Sequence, residues 1–111
     1  MDNNPKVIRI GHSPDPDDAF MYYGFAKGMV TIEGHEIENV LDDIQSLNEK
    51  AHSNDPLEVT ALSLHAFLEL QDKYELLDVG FSVGRNYGPR LVATSPVKLE
   101  DLKGKKIALP G

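Results

Sequence analysis

The sequence predicts an α/β fold, with a mostly parallel sheet and helices on both faces of that sheet. Two observations predict this class. Short apolar runs alternate with helical patterns along the chain, and turn-forming residues separate the two kinds of segment. The composition, 41% hydrophobic and 26% charged, is that of an ordinary globular domain. A chain of 111 residues is one domain or a part of one.

The first predicted strand and helix lie in the first quarter of the chain. Residues 7–10 form a short apolar run that ends at Gly11, which predicts a strand. Asp15 then has the place of a helix N-cap, followed by Pro16 as the first helical residue. The helix is predicted to extend over residues 16–27 and to stop at Gly28.

The central part of the chain predicts two further strand–helix pairs. Residues 35–40 and 57–62 are predicted strands. The helix between them begins at Asp42 and Asp43, and its apolar residues recur at spacings of three and four, at Ile44, Leu47 and Ala51. A short helix over residues 63–70 follows, with Leu64, Phe67 and Leu68 expected to face inward.

The last third of the chain predicts extended segments and one unaccompanied strand. Residues 74–83 and 88–94 are expected to be extended, residues 99–104 to form a turn or short helix, and residues 106–109 to form a strand. A parallel strand is normally covered by the helix that follows it, and here the sequence ends instead. We therefore expect residues 1–97 to be a first α/β lobe, and residues 98–111 to be the crossover and first strand of a second lobe. The alternative is a terminal edge strand on a small complete domain.

Charge and composition argue against several classes of partner. The formal net charge is −7, and residues 1–56 hold 11 acidic and 4 basic side chains. No cluster of Lys and Arg suits a phosphate backbone or an anionic membrane, so neither nucleic acid nor membrane is expected as a partner. The sequence contains no cysteine, no apolar run long enough to span a membrane and no signal-peptide pattern at its start. We expect a cytoplasmic protein.

Three carboxylates, those of Asp15, Asp17 and Asp18, lie within four residues and allow more than one interpretation. A calcium loop would need Gly in place of Phe20 and Glu in place of Ala26, so it is excluded. An Asp-x-Asp pair after a strand is also found in magnesium-dependent phosphotransferases. Helix capping is the structural alternative, in which Asp15 and Asp18 have the spacing of a capping box.

The four histidines show no zinc-binding spacing. His12 and His65 follow predicted strands, where α/β sheets place ligand-binding groups, whereas His35 and His52 are expected at the surface. The turn at residues 84–88 lacks the Gly-Lys-Ser/Thr ending of a phosphate-binding loop. Its Asn86 and Tyr87 are additional candidates to face a ligand.

Five segments, in order along the chain, resemble the 1,4-dihydroxy-6-naphthoate synthase family of menaquinone biosynthesis. Residues 11–20, Gly-His-Ser-Pro-Asp-Pro-Asp-Asp-Ala-Phe, resemble the family's Gly-Phe-Ser-Pro-Cys-Pro-Asn-Asp-Thr-Phe. Residues 43–48 are similar to its Asp-Val-Glu-x-Leu-Asn, residues 60–63 to its Thr-Lys-Leu-Ser and residues 84–89 to its Gly-Arg-Gly-x-Gly-Pro. Residues 102–111 resemble the entry into its second lobe.

This resemblance implies a fold, a reaction and a set of binding residues. The fold is that of type II periplasmic binding proteins, in which two lobes clasp a small molecule. The reaction converts cyclic dehypoxanthine futalosine into 1,4-dihydroxy-6-naphthoate by acid–base elimination, without a metal or other cofactor. The general base is a His expected beyond Gly111, so no catalytic residue is expected within this chain, and the chain alone is expected to be inactive. Substrate contacts are implied for Asp18, Asn48, Ala61, Leu62 and Ser63, with Ser13 as an additional candidate.

Four positions depart from the family pattern. Asp15 replaces Cys, Asp17 replaces Asn, Ala19 replaces Thr and Ala61 replaces Lys, which makes the expected cleft more acidic. Two alternatives stay open: the sister enzyme chorismate dehydratase, and a non-catalytic module that binds a small solute. If the cleft face of the lobe is exposed, self-association is also expected.

Overall fold

The computed structural model describes residues 6–88 and 90–109. These residues form two compact units, one before and one after the boundary between Gly80 and Phe81. The predicted boundary between residues 97 and 98 concerns the organisation into lobes, and it stays a prediction.

Three parallel strands form the sheet of the first unit and confirm the α/β class. They are β1 (Lys6–His12), β2 (His35–Leu41) and β3 (Val59–Thr60), in the order β2–β1–β3. The central strand β1 pairs with β2 from Lys6↔His35 to His12↔Leu41, and with β3 at Ile10↔Val59 and Gly11↔Thr60. Because all three strands are parallel, their carboxyl ends meet at one edge of the sheet.

Within the described residues, four α-helices connect or follow the strands. They are α1 (Pro16–Met21), α2 (Tyr23–Ala26), α3 (Ile44–His52) and α4 (Leu64–Glu69). The single helix predicted over residues 16–27 is therefore two helices. The helix is interrupted at Tyr22, where φ is −96° and ψ is 3°, and where the tyrosine ring stacks on His12. The predicted stop is confirmed, because Gly28 has a φ of +64° just after α2.

The helices lie on both faces of the sheet. Consecutive side chains of a strand point to opposite faces. His12 stacks on Tyr22, at the junction of α1 and α2. Its neighbour Gly11 faces Leu47 of α3, since a Cβ built on Gly11 would lie 2.8 Å from the Leu47 Cδ2. The segment α1–α2 and the helix α3 thus cover opposite faces.

The buried core is centred on β1, α3 and the segments that flank α4. The buried apolar residues are Ile10, Leu47, Ala51, Leu57, Ala66 and Leu70. The expectation that Leu64 and Leu68 face inward is wrong, because their exposed fractions are 71% and 59%. The small residue Ala66 is the buried residue of α4 instead, and its amide donates to the capping Ser63 hydroxyl at 3.2 Å.

The second unit contains a 3₁₀ helix at Leu99–Leu102, which confirms the predicted short helix. The strand expected at residues 106–109 is absent from the described part of the chain, as are strands in the segments 74–83 and 88–94. An extended segment becomes a strand only when a neighbouring backbone pairs with it. The described residues supply no such neighbour for these segments.

The sequence predicts that the first strand ends at Gly11. In the structure Gly11 lies inside β1, which continues to His12. A Cβ at this position would lie 2.5 Å from the Leu57 Cδ1 and 3.0 Å from the Thr60 Oγ1. Both Leu57 and Leu47 are almost fully buried, at 3% and 1% exposure, so neither side chain has space to withdraw.

We predict that Gly11→Ala lowers the free energy of unfolding by about 1–3 kcal/mol, because it overpacks this part of the core. Urea denaturation measures the change. Gly88→Ala is the matched control, since a Cβ there meets nothing within 4 Å. Equal stability of the two variants would contradict the close packing at Gly11.

An ion-pair network ties the outer part of β1 to the segment before β3. The guanidinium of Arg9 donates to both carboxylate oxygens of Glu58, at 2.8 and 3.0 Å, and to Asp55 Oδ1 at 2.8 Å. The same group donates to the Pro56 carbonyl at 2.8 Å. Lys50 of α3 pairs with the other oxygen of Asp55 at 3.2 Å. The hydrogen bonds from Arg9 lower the pKa of Glu58 from its ordinary 4.5 to about 2.

The lowered pKa of Glu58 predicts a stability change in acid. Folding is favoured by the ionised Glu58 carboxylate above its unfolded pKa of 4.5, and this contribution is lost as the pH falls toward about 2. The effect is small because the Glu58 side chain is 43% exposed. In Glu58→Gln, the urea midpoint should fall at neutral pH and should depend less on pH between these two values. Glu33→Gln, which changes an exposed glutamate before β2, should leave the wild-type pH dependence intact. A Glu58→Gln profile parallel to the wild type would refute the linkage.

Candidate functional site

The carboxyl edge of the sheet gathers the loops that hold most of the predicted site residues. Ser13 follows β1, Asp42 follows β2, and Ser63 follows β3 by three residues. Two backbone hydrogen bonds hold this edge together. The Ala61 amide donates to the Gly11 carbonyl at 2.7 Å, and the Asp42 amide donates to the His12 carbonyl at 3.2 Å.

Two predicted substrate-binding residues, Asn48 and Ser63, contact each other across the edge. The Asn48 Nδ2 donates to the Ser63 Oγ at 3.2 Å, and the Ser63 amide donates to the Asn48 Oδ1 at 3.1 Å. Ser63 also accepts from the Ala66 amide at 3.2 Å, as the N-cap of α4. The reciprocal bonds fix both side chains, which we call the Asn48–Ser63 pair.

The position of Asn48 depends on where helix α3 begins, and a side-chain cap fixes the beginning of that helix. The Asp43 carboxylate accepts from the amides of Gln45 and Ser46, at 2.9 and 3.1 Å, and from the Ser46 hydroxyl at 2.7 Å. These bonds lower the pKa of Asp43. The predicted beginning of the helix at Asp43 is thereby confirmed.

The Asn48–Ser63 pair keeps hydrogen-bonding capacity for a ligand. Both residues are only partly buried. The Ser63 oxygen accepts two bonds, and its own hydroxyl proton is left to donate. Asn48 uses one of its two amide protons and one of the lone pairs on its oxygen. A carboxylate or a hydroxyl placed beside the pair therefore finds both donors and an acceptor.

Asp18, the third predicted polar residue, organises the loop after β1. Its Oδ2 accepts from the Ser13 amide at 2.8 Å. The Asp15 amide in turn donates to the Ser13 Oγ at 3.2 Å. Asp15 occupies the N-cap position of α1, as predicted, but its side chain makes no capping bond. The predicted capping box between Asp15 and Asp18 is wrong, because the Asp18 carboxylate bonds to Ser13 instead.

Asp18 and the Asn48–Ser63 pair lie on the same edge without bonding to each other. The structure thus brings Asn48 and Ser63 together, and places Asp18 and Ser13 in a separate loop that leaves the neighbouring strand β1. Ala61 is half-buried, and its amide holds the end of β3 against β1. Leu62 is half-buried between Ala61 and Ser63.

Asn86 and Tyr87 belong to the second unit. Asn86 has a φ of 58°, a conformation that Asn tolerates better than most residues. Within this turn the positive φ belongs to Asn86, and neither Gly84 nor Gly88 adopts it. Gly84 is needed for space, because a Cβ at this position would collide with the Tyr87 ring. Tyr87 is 73% exposed.

An open groove between α3 and α4 borders the Asn48–Ser63 pair. Besides these two residues and Ala66, its lining is polar: Gln45, Glu49, His52, His65 and Glu69. His52 crosses the groove, with its Nε2 3.3 Å from the Glu69 Oε2 and its Nδ1 2.8 Å from the Asn48 carbonyl. His52 thereby holds α3 and α4 together next to the pair.

His12 is a candidate from the sequence because it follows a predicted strand, whereas no motif points to Tyr22. The structure buries His12 to 4% exposure and stacks its ring on Tyr22, with centroids 4.4 Å apart and an interplanar angle of 10°. Burial, together with the nearby charge of Asp18, raises the pKa of Tyr22. One signal in the sequence could have identified this contact. His12 lies at the carboxyl end of a strand, and Tyr22 lies at the end of the helix that follows that strand.

Two features of the described ranges bear on the other interpretations. Within residues 6–88 and 90–109, no three His, Asp or Glu side chains lie close enough together to hold a metal ion. The magnesium hypothesis thus rests on the spacing of Asp15 and Asp17 alone. None of the helices in the same ranges combines the length and hydrophobicity needed to cross a membrane.

Comparison with known proteins gives consistent matches over almost the whole chain. The profile of a family described as menaquinone biosynthesis matches residues 8–111. A protein of Thermus thermophilus named 1,4-dihydroxy-6-naphthoate synthase is 37% identical over 106 residues, which are 96% of this chain and 38% of that protein. A protein of the same name from Streptomyces coelicolor is 31% identical over 104 residues, 94% of this chain and 36% of that protein. The chain thus spans little more than a third of the length of these relatives. No solved structure matches the chain significantly.

We predict that Asn48 and Ser63 stabilise the fold as a coupled unit. Asn48→Ala and Ser63→Ala should each lower the free energy of unfolding by about 1 kcal/mol. The loss of unfolding free energy in the double variant should be smaller than the sum of the two single losses, by at least about 0.5 kcal/mol, because both single variants break the same bonds. A control cycle of Ser63→Ala with Glu33→Ala should be additive. Additivity in the Asn48–Ser63 cycle would show that the two residues are not coupled.

Proposed function

This chain belongs to the menaquinone biosynthesis family, and from that premise we propose that it supplies the substrate-binding lobe of a 1,4-dihydroxy-6-naphthoate synthase. The proposed reaction is the conversion of cyclic dehypoxanthine futalosine into 1,4-dihydroxy-6-naphthoate by acid–base elimination, on the futalosine route. The proposed lobe is of the type found in type II periplasmic binding proteins, and the proposed location is the cytoplasm. The partner is a small molecule.

The observation that carries this proposal is the Asn48–Ser63 pair. The family resemblance implies substrate contacts for both residues, although they are 15 positions apart in the sequence. Their side chains meet at the carboxyl edge of a parallel sheet, which is where open α/β sheets bind ligands. The edge is also partly exposed, as a binding surface must be.

In this proposal each polar group has a defined partner on the substrate. The Ser63 hydroxyl donates its remaining proton to the substrate carboxylate, since its two lone pairs are already engaged by Asn48 and Ala66. Asn48 and Asp18 bind sugar-derived hydroxyls. Asn48 offers its second amide proton, and Asp18 offers the oxygen that does not hold Ser13.

The proposed chemistry requires a base that this chain does not contribute. The base in the proposal is a His outside these 111 residues. The chain therefore binds and orients the substrate, and it is expected to show no conversion by itself. A turnover assay in which the chain alone converts cyclic dehypoxanthine futalosine at an enzymatic rate would refute this division of roles.

We predict that Ser63→Ala weakens the binding of 1,4-dihydroxy-6-naphthoate by about 1–3 kcal/mol, because Ser63 loses a hydrogen bond to a charged group. Isothermal titration calorimetry of the 111-residue chain measures the dissociation constant. Ser53→Ala is the matched control, since Ser53 caps the far end of α3 through the Lys50 carbonyl. Equal affinities of the two variants would show that Ser63 acts as a helix cap and does not bind the ligand.

The same calorimetry separates the proposal from its alternatives. A family member of the proposed kind binds the naphthoate and cyclic dehypoxanthine futalosine in preference to chorismate. Preference for chorismate would favour the dehydratase instead. Binding of unrelated metabolites only would indicate a solute-binding module.

A further inference from the structure

His52 lies in the groove between α3 and α4, and the proposed function gives it no role. It is the last residue of α3, one helical turn after Asn48 and on the same face of that helix. Its side chain lines the groove together with Asn48 and Ser63. The side chain is 44% exposed, so protons from the solvent reach the ring. The charge of His52 therefore follows the pH of the medium.

Both ring nitrogens of His52 lie next to atoms that accept hydrogen bonds. Nδ1 is 2.8 Å from the Asn48 carbonyl oxygen, and Nε2 is 3.3 Å from the Oε2 of Glu69. A carbonyl and an ionised carboxylate have no proton to donate. A neutral imidazole has one N–H group and donates to one of these oxygens, whereas the imidazolium has two and donates to both. The observed contacts are therefore those of the protonated ring.

The charges around the groove accommodate an imidazolium. The C-terminal end of a helix has a partial negative charge that attracts a cation in its last turn, which is where His52 lies. The neighbouring Lys50 is engaged by Asp55 at 3.2 Å. The other titratable side chains that line the groove are those of Glu49, His65 and Glu69. Two carboxylates in the groove thus attract the protonated ring.

The His52–Glu69 contact and the Asn48–Ser63 pair are two cross-links between the same helices. Ser63 is the N-cap of α4, and Glu69 is its last residue. Asn48 therefore holds the beginning of α4, and His52 holds its end. With both ends of α4 tied to α3, the distance between the Asn48 amide and the Ser63 hydroxyl is set. Loss of the contact at the end lets α4 turn about its beginning, which changes the geometry of the pair.

From these contacts we propose that His52 is a positioning residue of the binding site, and that its protonated ring holds the Asn48–Ser63 pair in the geometry that binds the ligand. The inference rests on the proposed function and adds a dependence on pH to it. Histidine side chains lose their charge between about pH 5 and about pH 8. The contact with Glu69 is present while the ring is charged, so ligand affinity is higher on the acidic side of this range and falls as the pH rises through it.

The test compares the affinity for 1,4-dihydroxy-6-naphthoate at about pH 6 and at about pH 8, by calorimetry. The affinity of the wild-type chain should fall about two- to fivefold between these values. In His52→Lys, whose ammonium stays charged at both, the affinity should be retained and the fall should disappear. His35→Gln is the matched control, because it removes an exposed histidine at the opposite edge of the sheet, and it should keep the wild-type fall.

Comparison of these chains with the same ligand cancels any effect of the ligand's own ionisation. A histidine with a merely structural role would change the urea midpoint and leave the pH dependence of binding unaltered. Equal wild-type affinities at the two pH values, or a fall that persists in His52→Lys, would overturn the proposal.

Nuclear magnetic resonance keeps this outcome distinct from failure of the proposed function. If the naphthoate does not bind the wild-type chain at either pH, the proposed function fails, and His52 is then tested without a ligand. Spectra of ¹⁵N should show both His52 nitrogens protonated at about pH 6, and the side-chain amide resonances of Asn48 should shift as the ring titrates. In Glu69→Gln this shift should be smaller, because α4 is no longer held by the ring. An Asn48 shift that is absent, or that is unchanged in Glu69→Gln, would overturn the positioning role.

Discussion

The position of β1 between two parallel neighbours is the constraint on which the rest of this structure depends. β1 pairs with β2 over seven residues and with β3 over two, and the amides of Ala61 and Asp42 extend the pairing past the strand ends. Parallel pairing brings the three carboxyl ends to one edge. Close packing at Gly11 keeps β3 and α3 in place, since no other residue would leave room for Leu47 and Leu57.

The parallel pairing brings polar residues that are distant in the sequence together at one edge of the sheet. Asn48 comes from the helix after β2 and Ser63 from the turn after β3, and they bond reciprocally at the edge. Asp18 and Ser13 order the loop after β1 in the same way. The Arg9 network lies where Asp55 and Glu58 approach β1, and its ion pairs join the segment before β3 to the central strand. These ion pairs do not involve the polar residues at the carboxyl edge of the sheet.

Local patterns predicted much of the fold and part of the site. Apolar runs and capping residues identified the three strands and the starts of α3 and α4, because Asp43 and Ser63 act through bonds within three residues of themselves. The break at Tyr22, the inward side of α4 and the role of Gly11 depend on contacts with distant elements, which no local pattern contains. Likewise, Asn48 and Ser63 could be named from a family resemblance, but their pairing required the sheet. The contact between His12 and Tyr22 could be suspected from their positions at the ends of a strand and a helix, but the Nε2 of His12, which has no hydrogen-bond partner among the described residues, depends on the packing around the ring.

The central claim is that ligand binding occurs at the carboxyl edge of the sheet. It is tested most directly by intermolecular nuclear Overhauser effects between the ring protons of 1,4-dihydroxy-6-naphthoate and the isotopically labelled chain. The account predicts contacts with the side chains of Asn48 and Ser63 and with the loop that contains Ser13. Contacts confined to the opposite edge, around Lys6 and His35, would contradict it.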